Sequence, residues 1–272
     1  MTDLSDNRLV KVFSELRAAG KKALVPFLTA GHPDLQTTEA ILIDLERRGV
    51  RVAELGIPFS DPIADGPTIQ ASYTEALAAG VTSQAVLEMV RRWRAGGAGL
   101  ALVAMVSYSI VFRCRPEVYL RSAADAGFDG LIIPDLPLEE AGNLEPLAAA
   151  DGLANVMLIA PTTPPRRRVE IARHSRGFIY FISVAGITGE RERLPEDTIR
   201  AVGELRRHTD TPVCVGFGIS NPQMVAAVCE VADGAIVGSA IVRRISQHKD
   251  LPTDQLVAKV GEFVGGLLEP IA

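Results

Sequence analysis

Eight short apolar runs, each followed by a stretch of helical character, constrain this chain more than any other feature. They read LVPFL (24–28), VAELG (52–56), ALVAMV (101–106), GLIIPD (130–135), VMLIA (156–160), FIYFI (178–182), PVCVGF (212–217) and GAIVG (234–238). The runs are continuous rather than alternating, as expected of strands covered on both faces. The connections are amphipathic. One covers 35–45 and stops at Gly49; another covers 222–228, with Ser220 and Asn221 as candidate caps. Eight β units alternating with helices predict an α/β fold, a parallel (β/α)8 TIM barrel in which every strand has two neighbours and no edge remains. A doubly wound open sheet is the rival. It favours a GxGxxG turn after the first strand, whereas here that turn is Thr29-Ala30-Gly31-His32-Pro33. An extra N-terminal helix over about 7–18 is expected to cap the barrel floor. No linker or low-complexity segment divides the chain, so residues 1–272 are expected to form a single domain.

At 272 residues and 47% hydrophobic content, the chain can build one core of barrel size. A formal charge of -5 gives no reason to expect binding to nucleic acid or an anionic membrane. The basic clusters Arg91-Arg92-Trp93-Arg94 and Arg166-Arg167-Arg168 read as solvated helix faces or ends, with Trp93 against the barrel exterior. Cys114, Cys214 and Cys229 form no CxxC, which favours reduced thiols in a cytoplasmic protein, Cys214 being a core residue. The N-terminus lacks an apolar signal core, and no apolar run reaches the ~18 residues of a membrane span.

Active sites of such barrels lie at the C-terminal ends of the strands. Glu54 closes the second strand and Asp65 lies in the proline-rich loop after it. A buried carboxylate is costly unless paired, hydrogen-bonded or kept neutral, and that cost is tolerated mostly where protons are moved. Glu54 is therefore a candidate general acid/base. A paired structural carboxylate is the plainer reading of Glu54, and a turn cap in ADGP the plainer reading of Asp65. Asp135 ends the fourth strand and is expected to organise its loop rather than touch substrate. Tyr180 lies in the sixth run, as site residue or ordinary core, followed by Gly186, Thr188 and Gly189. Two glycine turns come last, Gly216-Phe217-Gly218-Ile219-Ser220 and Gly238-Ser239-Ala240-Ile241. Both precede helices, where backbone N–H groups and the helix dipole form a phosphate cradle.

No lysine ends a strand, which disfavours a Schiff base. His32, His174, His208 and His248 show no metal-ligand spacing, so no metal is expected. What remains is carbon–carbon or proton-transfer chemistry on a phosphorylated substrate, run by carboxylates.

The blocks PFLTAGHPD (26–34), ELGIPFSDPIADGPTIQ (54–70), AAGVT (78–82), DGLIIPDLPLEE (129–140), IAPTTP (159–164), SVAGITG (183–189), VGFGIS (215–220) and GSAIV (238–242) together resemble the tryptophan synthase alpha subunit family, in that family's order and over nearly the whole chain. The resemblance implies retro-aldol cleavage of indole-3-glycerol phosphate to indole and glyceraldehyde 3-phosphate. It makes Glu54 the proton shuttle and Asp65 the partner of the indole N–H. It places Phe27 beside the indole pocket and Tyr180 near the site. It assigns Gly189, Gly218, Gly238 and Ser239 to the phosphate cradle. Thr188 becomes the loop threonine that closes against the second acid, with loops 58–66 and 184–195 as mobile lids. It also implies a beta-subunit partner in an alpha2-beta2 heterotetramer, faced by Pro58, Phe59 and Asp61, with pyridoxal phosphate expected only in that beta subunit. One stretch departs from the family. Where many relatives carry a YYNP-like segment, this chain has Val106-Ser107-Tyr108-Ser109-Ile110, so substrate packing or subunit signalling is expected to differ. A free-standing lyase, a catalytically silent phosphate-binding regulator and another phosphosugar barrel enzyme are the competing readings.

Overall fold

The computed structural model describes residues 4–63, 65–183, 194–216 and 218–271. Among these residues nine strands form one all-parallel sheet: β1 (Ala23–Thr29), β2 (Val52–Gly56), β3 (Ala101–Met105), β4 (Gly130–Ile132), β5 (Ala154–Val156), β6 (Leu158–Ile159), β7 (Ile179–Ile182), β8 (Val213–Gly216) and β9 (Gly234–Val237). Their order is β5-β4-β3-β2-β1-β9-β8-β7-β6. The two ends of that order adjoin in the chain, separated by Met157 alone, so the sheet curls into a barrel that closes through an interrupted fifth strand. Met157 leaves the ladder because its N–H is taken by the Ser175 hydroxyl at 3.0 Å, while its carbonyl accepts from Tyr180 N–H at 3.0 Å. The expected run 156–160 is thus corrected to a strand that starts at Ala154 and breaks once. The expected fourth strand, 130–135, pairs only to Ile132. Ile133, Pro134 and Asp135 leave the ladder and form the start of a loop.

Although the runs are uniformly apolar, their side chains alternate between two layers. Val52, Val103, Ile132, Val156, Tyr180, Cys214 and Ile236 fill the barrel interior. Leu28, Leu55, Leu102, Leu131, Phe181 and Val215 pack under the helices. Burial on both faces is what a barrel ringed by helices demands, and it explains the absence of polar alternation.

The expected N-terminal helix runs Arg8–Ala18, with Asn7 as its cap. Asn7 Oδ1 accepts from Leu9 N–H, and Asn7 Nδ2 donates to the carbonyls of Asp129 and Gly152 at 2.7 Å each, fastening the helix under β4 and β5. Phe13 meets Phe178 at 5.5 Å between ring centroids. Gly177 leaves no room for a side chain there, since a Cβ would lie 2.5 Å from Leu9 Cδ2. The floor also holds a buried ionic knot in which Asp129 accepts from Arg8, Arg94 and Leu102 N–H at 2.7, 2.8 and 2.8 Å.

Arg94 therefore departs from the solvated-face expectation: only 10% of its side chain is exposed. Trp93 packs outside the barrel as expected. Arg168 departs similarly, donating to the carbonyls of Thr163 and Pro161. The helix Leu35–Arg47 ends at Arg48, with Gly49 next at φ +93°. The helix Pro222–Val231 is capped by Asn221, whose Oδ1 accepts from Met224 N–H. Ser220 is not its cap.

Candidate active site

Glu54 sits in the middle of β2, level with Phe27 on β1 and Val103 on β3. Its position alternates with the outward Ala53 and Leu55, so its carboxyl group enters the barrel interior. The residue is 1% exposed, and among the described residues neither carboxyl oxygen has a hydrogen-bond partner. Burial first, and the negative field of Asp65 second, push its pKa up to about 8. The paired-structural-carboxylate reading of Glu54 has no support in this arrangement.

Asp65 belongs to the loop between β2 and the helix Pro67–Ala78. Its N–H donates to the Pro62 carbonyl at 3.1 Å and its own carbonyl accepts from Gln70 Nε2 at 2.8 Å. The cap of the following helix is Gly66, without a side-chain bond, so the Asp65 carboxylate is not a helix cap. Burial raises its pKa to about 6. The helix itself is tied to the barrel by the buried Thr29–Ser72 hydroxyl pair at 2.6 Å, which anchors the end of this loop.

Two tyrosines flank the acids. Tyr180 on β7 is raised well above the ordinary tyrosine range by burial, then by Glu54, then by Asp65. Its ring occupies the space over Gly216, where a Cβ would come 2.6 Å from Tyr180 Oη. Tyr73, on the helix Pro67–Ala78, is raised by burial, then by Asp65, then by Glu54. A Cβ on Gly56 would lie 2.5 Å from Tyr73 Oη and 2.6 Å from Phe27 Cζ. Tyr73 is the residue that sequence reasoning missed. It shares a helix face with Ile69 and Ala76, so its spacing reads as core, and only its nearness to Asp65 in the chain hints otherwise.

Asp65 and Tyr73 line a small cleft with Ile57, Phe59, Met105 and Pro134, of about 30 Å³. That is room for about one water, an order of magnitude less than the ~300 Å³ of the smallest ligand pockets. Asp135 borders the same cleft, but its carboxylate is engaged. It accepts from Ser107 Oγ at 2.8 Å and from Tyr108 N–H at 2.7 Å, at the start of the helix Tyr108–Arg113. The residue organises a loop as expected, although the loop is the one after β3 rather than its own.

The glycine turns lie on the same end of the barrel, after the neighbouring strands β8 and β9. Gly218 has φ +79°, a left-handed conformation that favours glycine. Gly238 opens the helix Ser239–His248 with no side-chain cap, so N–H groups of its first turn face the mouth unclaimed by a side chain. A Cβ on Gly238 would be 3.5 Å from Phe27 Cβ, so the cradle and the aromatic beside Glu54 are contiguous. Glu54, Asp65, Phe27, Tyr180, Gly218, Gly238 and Ser239 thus share one end of the barrel. Thr188, Gly189 and Gly186 lie outside the described residues, as does most of the 184–195 loop.

Comparison with known proteins follows the same lines. A family model described as tryptophan synthase alpha chain matches residues 13–269. The tryptophan synthase alpha chain of Rhodopirellula baltica is 46% identical to this chain over 272 residues, 97% of this chain and 98% of that protein. Among solved structures, the tryptophan synthase alpha subunit of Legionella pneumophila superposes with a TM-score of 0.88 at 32% identity, covering 97% of this chain and 98% of that one. Tryptophan synthase from M. tuberculosis in an aminoacrylate-bound form superposes with a TM-score of 0.85 at 30% identity, covering 98% of this chain and all of that one.

Proposed function

The chain belongs to the tryptophan synthase alpha chain family, and from that membership we propose that Glu54 and Asp65 together carry out its cleavage of indole-3-glycerol phosphate to indole and glyceraldehyde 3-phosphate. The observation that carries this reading is a fully buried Glu54, without a hydrogen-bond partner among the described residues, beside a second acid, with pKa values near 8 and 6. At neutral pH Glu54 holds its proton and Asp65 is an anion. Two carboxylates pushed to different pKa values take different roles.

Glu54 donates its proton to indole C3, the carbon that must leave. The ring becomes cationic, and the Asp65 carboxylate, accepting from the ring N–H, stabilises that charge in a site shielded from water. The glycerol hydroxyl on the carbon bonded to C3 then gives its proton to the Glu54 carboxylate. That carbon's bond to indole breaks, its electron pair restores the aromatic ring, and the carbinol becomes the aldehyde. Glu54 ends protonated, so the cycle needs no outside base. Phe27 and Tyr180 flank the ring, while Gly218, Gly238 and Ser239 hold the phosphate, with Gly189 in the same cradle. Loop 58–66 opens on substrate entry and closes, with Thr188 against Asp65, before chemistry, which keeps water from the proton transfers.

The product indole passes to a beta subunit, and the working assembly is an alpha2-beta2 heterotetramer. Pyridoxal phosphate belongs to that beta subunit, and this chain works without a cofactor of its own. The chain acts in the cytoplasm as one domain over 1–272. Among the described residues no helix is long and apolar enough to cross a membrane.

The test is indole release from indole-3-glycerol phosphate. Glu54→Gln should lower kcat at least about a thousandfold, within the range general acid–base groups contribute, while the circular dichroism spectrum stays unchanged. A wild-type rate in that variant removes Glu54 from the mechanism.

A further inference from the structure

On the outer wall of the barrel, the helices Pro165–His174 and Glu196–Leu205 enclose a second cavity, of about 360 Å³, whose lining includes none of the glycine-turn residues. It takes in two of the three residues of the Arg166-Arg167-Arg168 cluster, which the catalytic reading leaves unused. Arg166 and Arg168 reach it from the first helix, and Arg207 and His208 from the end of the second. Among the described residues Glu204 is the one acid in the lining, and Glu170 lies 3.8 Å from Arg166 Nε. The lining thus carries three arginines against one glutamate, with Glu170 a second acid beside the rim, which leaves a surplus of positive charge on a chain whose net charge is -5.

The arginines are not equivalent. Arg168 is clamped, its Nε donating to the Thr163 carbonyl and one Nη to the Pro161 carbonyl, both at 2.7 Å, with its guanidinium 6.0 Å from the Phe181 ring centre. Its remaining donors are held in place before any ligand arrives, which lowers the entropy cost of binding. Arg166 is 95% exposed and extends from the rim. Between them the floor is apolar, formed by Val169 and Leu205. A pre-positioned guanidinium at the base, further cations at the rim and an apolar floor match one ligand chemistry: a small organic phosphate monoester. Its dianionic head takes charge-assisted bonds from arginines on two sides, and its carbon body covers the floor. The volume lies at the lower end of the range for small-molecule pockets.

We propose that the cavity between these two helices is a second phosphate-ester site, distinct from the catalytic cradle. Phenyl phosphate and inorganic phosphate are the probes, with the full-length protein in both wild-type and Arg166→Ser/Arg207→Ser forms. The substituted side chains are surface-exposed, so folding and indole release should be unchanged. Calorimetric titration of wild type with phenyl phosphate should show two binding events. The double variant should keep the one at the catalytic cradle and lose, or weaken at least tenfold, the other. Inorganic phosphate should bind the outer site more weakly than phenyl phosphate, because it leaves the floor uncovered. The His208 ring resonance, assigned with His208→Asn, should move with either probe in wild type and stay fixed in the double variant. Identical titrations of the two proteins, or a stationary His208 signal, each overturns the proposal, whereas loss of the cradle event alone bears only on the catalytic reading.

Discussion

At the residue scale the decisive fact is the cost of Glu54. Its carboxyl group has a pKa of about 8 in the folded chain, against about 4.5 for the same group in water. Between those values the unfolded chain releases the proton and the folded chain keeps it. The folded state then binds more protons, so this residue's contribution to stability declines as pH rises from about 4.5 and flattens above about 8. Asp65, raised to about 6, acts with the same sign at lower pH. Glu54→Gln should therefore melt above wild type at pH 8 by a few kcal/mol at most, and the gap should close toward pH 4.5. Thermal melts across that range check it, and a gap that widens toward acid contradicts the assignment. The same two values set the activity profile. The proposed mechanism needs Glu54 protonated and Asp65 ionised, so kcat/KM, which reports the ligand-free chain, should follow a bell with limbs near pH 6 and pH 8. Asp65→Asn should leave no acid limb in whatever activity survives. Glu54 stood out in the sequence as a carboxylate within a short apolar run, whereas Asp65, in a proline-rich loop where an acid also reads as a turn cap, stood out only through the family resemblance. Tyr73 did not, because a tyrosine on the inward face of a helix is what a core also requires.

At the scale of elements, the structure turns on where polar groups interrupt regular pairing. The strands were legible as apolar runs, but their limits were not, since Met157 and Ile133 look like strand in sequence. Met157 leaves because the Ser175 hydroxyl, 18 residues on, claims its N–H, and Ile133 turns away with its carbonyl accepting from Leu136 N–H at 3.1 Å. The Ser107–Asp135 clamp is a similar long-range bond, 28 residues apart, at the segment that departs from the family pattern. Ser107 Oγ also accepts from Ser109 N–H, making it the cap of the helix Tyr108–Arg113. Ser107→Ala should cost about 1 kcal/mol, the usual worth of such a cap, measured by urea unfolding. A change below a few tenths of a kcal/mol would mean the clamp is idle. Asp129 is a larger case. Burial raises its pKa despite Arg94, and burial lowers that of Arg94 to about 10 despite Asp129, so removal from water outweighs their mutual attraction. Such a pair stabilises little while intact and costs much when broken. Asp129→Ala should destabilise by about 3–5 kcal/mol, because it leaves Arg94 charged and buried. Unfolding at an unchanged urea midpoint would refute that.

At the scale of the whole molecule, the two ends of the barrel are built differently, and the difference assigns them separate tasks. The floor is closed by the N-terminal helix, the Asn7 bonds to two carbonyls and the Asp129 knot. The mouth carries the acids and the glycine turns, with two large apolar side chains in the open, Ile63 at 86% and Phe112 at 66% exposure. Ile63 is in the loop that carries Asp65, and the Phe112 ring lies tilted 6.0 Å from that of Tyr108, the residue whose N–H Asp135 holds beside the cleft. Apolar surface of this kind on the rim of a site is unfavourable in water and becomes favourable once a partner covers it. A beta subunit seated there would bury Phe112 and bear on both the 107–113 segment and the 58–63 loop. Phe112 is outside the cleft, so Phe112→Ser should leave the indole release of the isolated chain within about twofold. It should cut the stimulation by a cognate beta subunit at least about tenfold, as expected for an aromatic anchor at the centre of an interface. Titrating beta subunit against a fixed amount of each alpha form gives both numbers. Equal stimulation of the two forms would move the partner away from this rim and leave the exposure of Phe112 without a purpose.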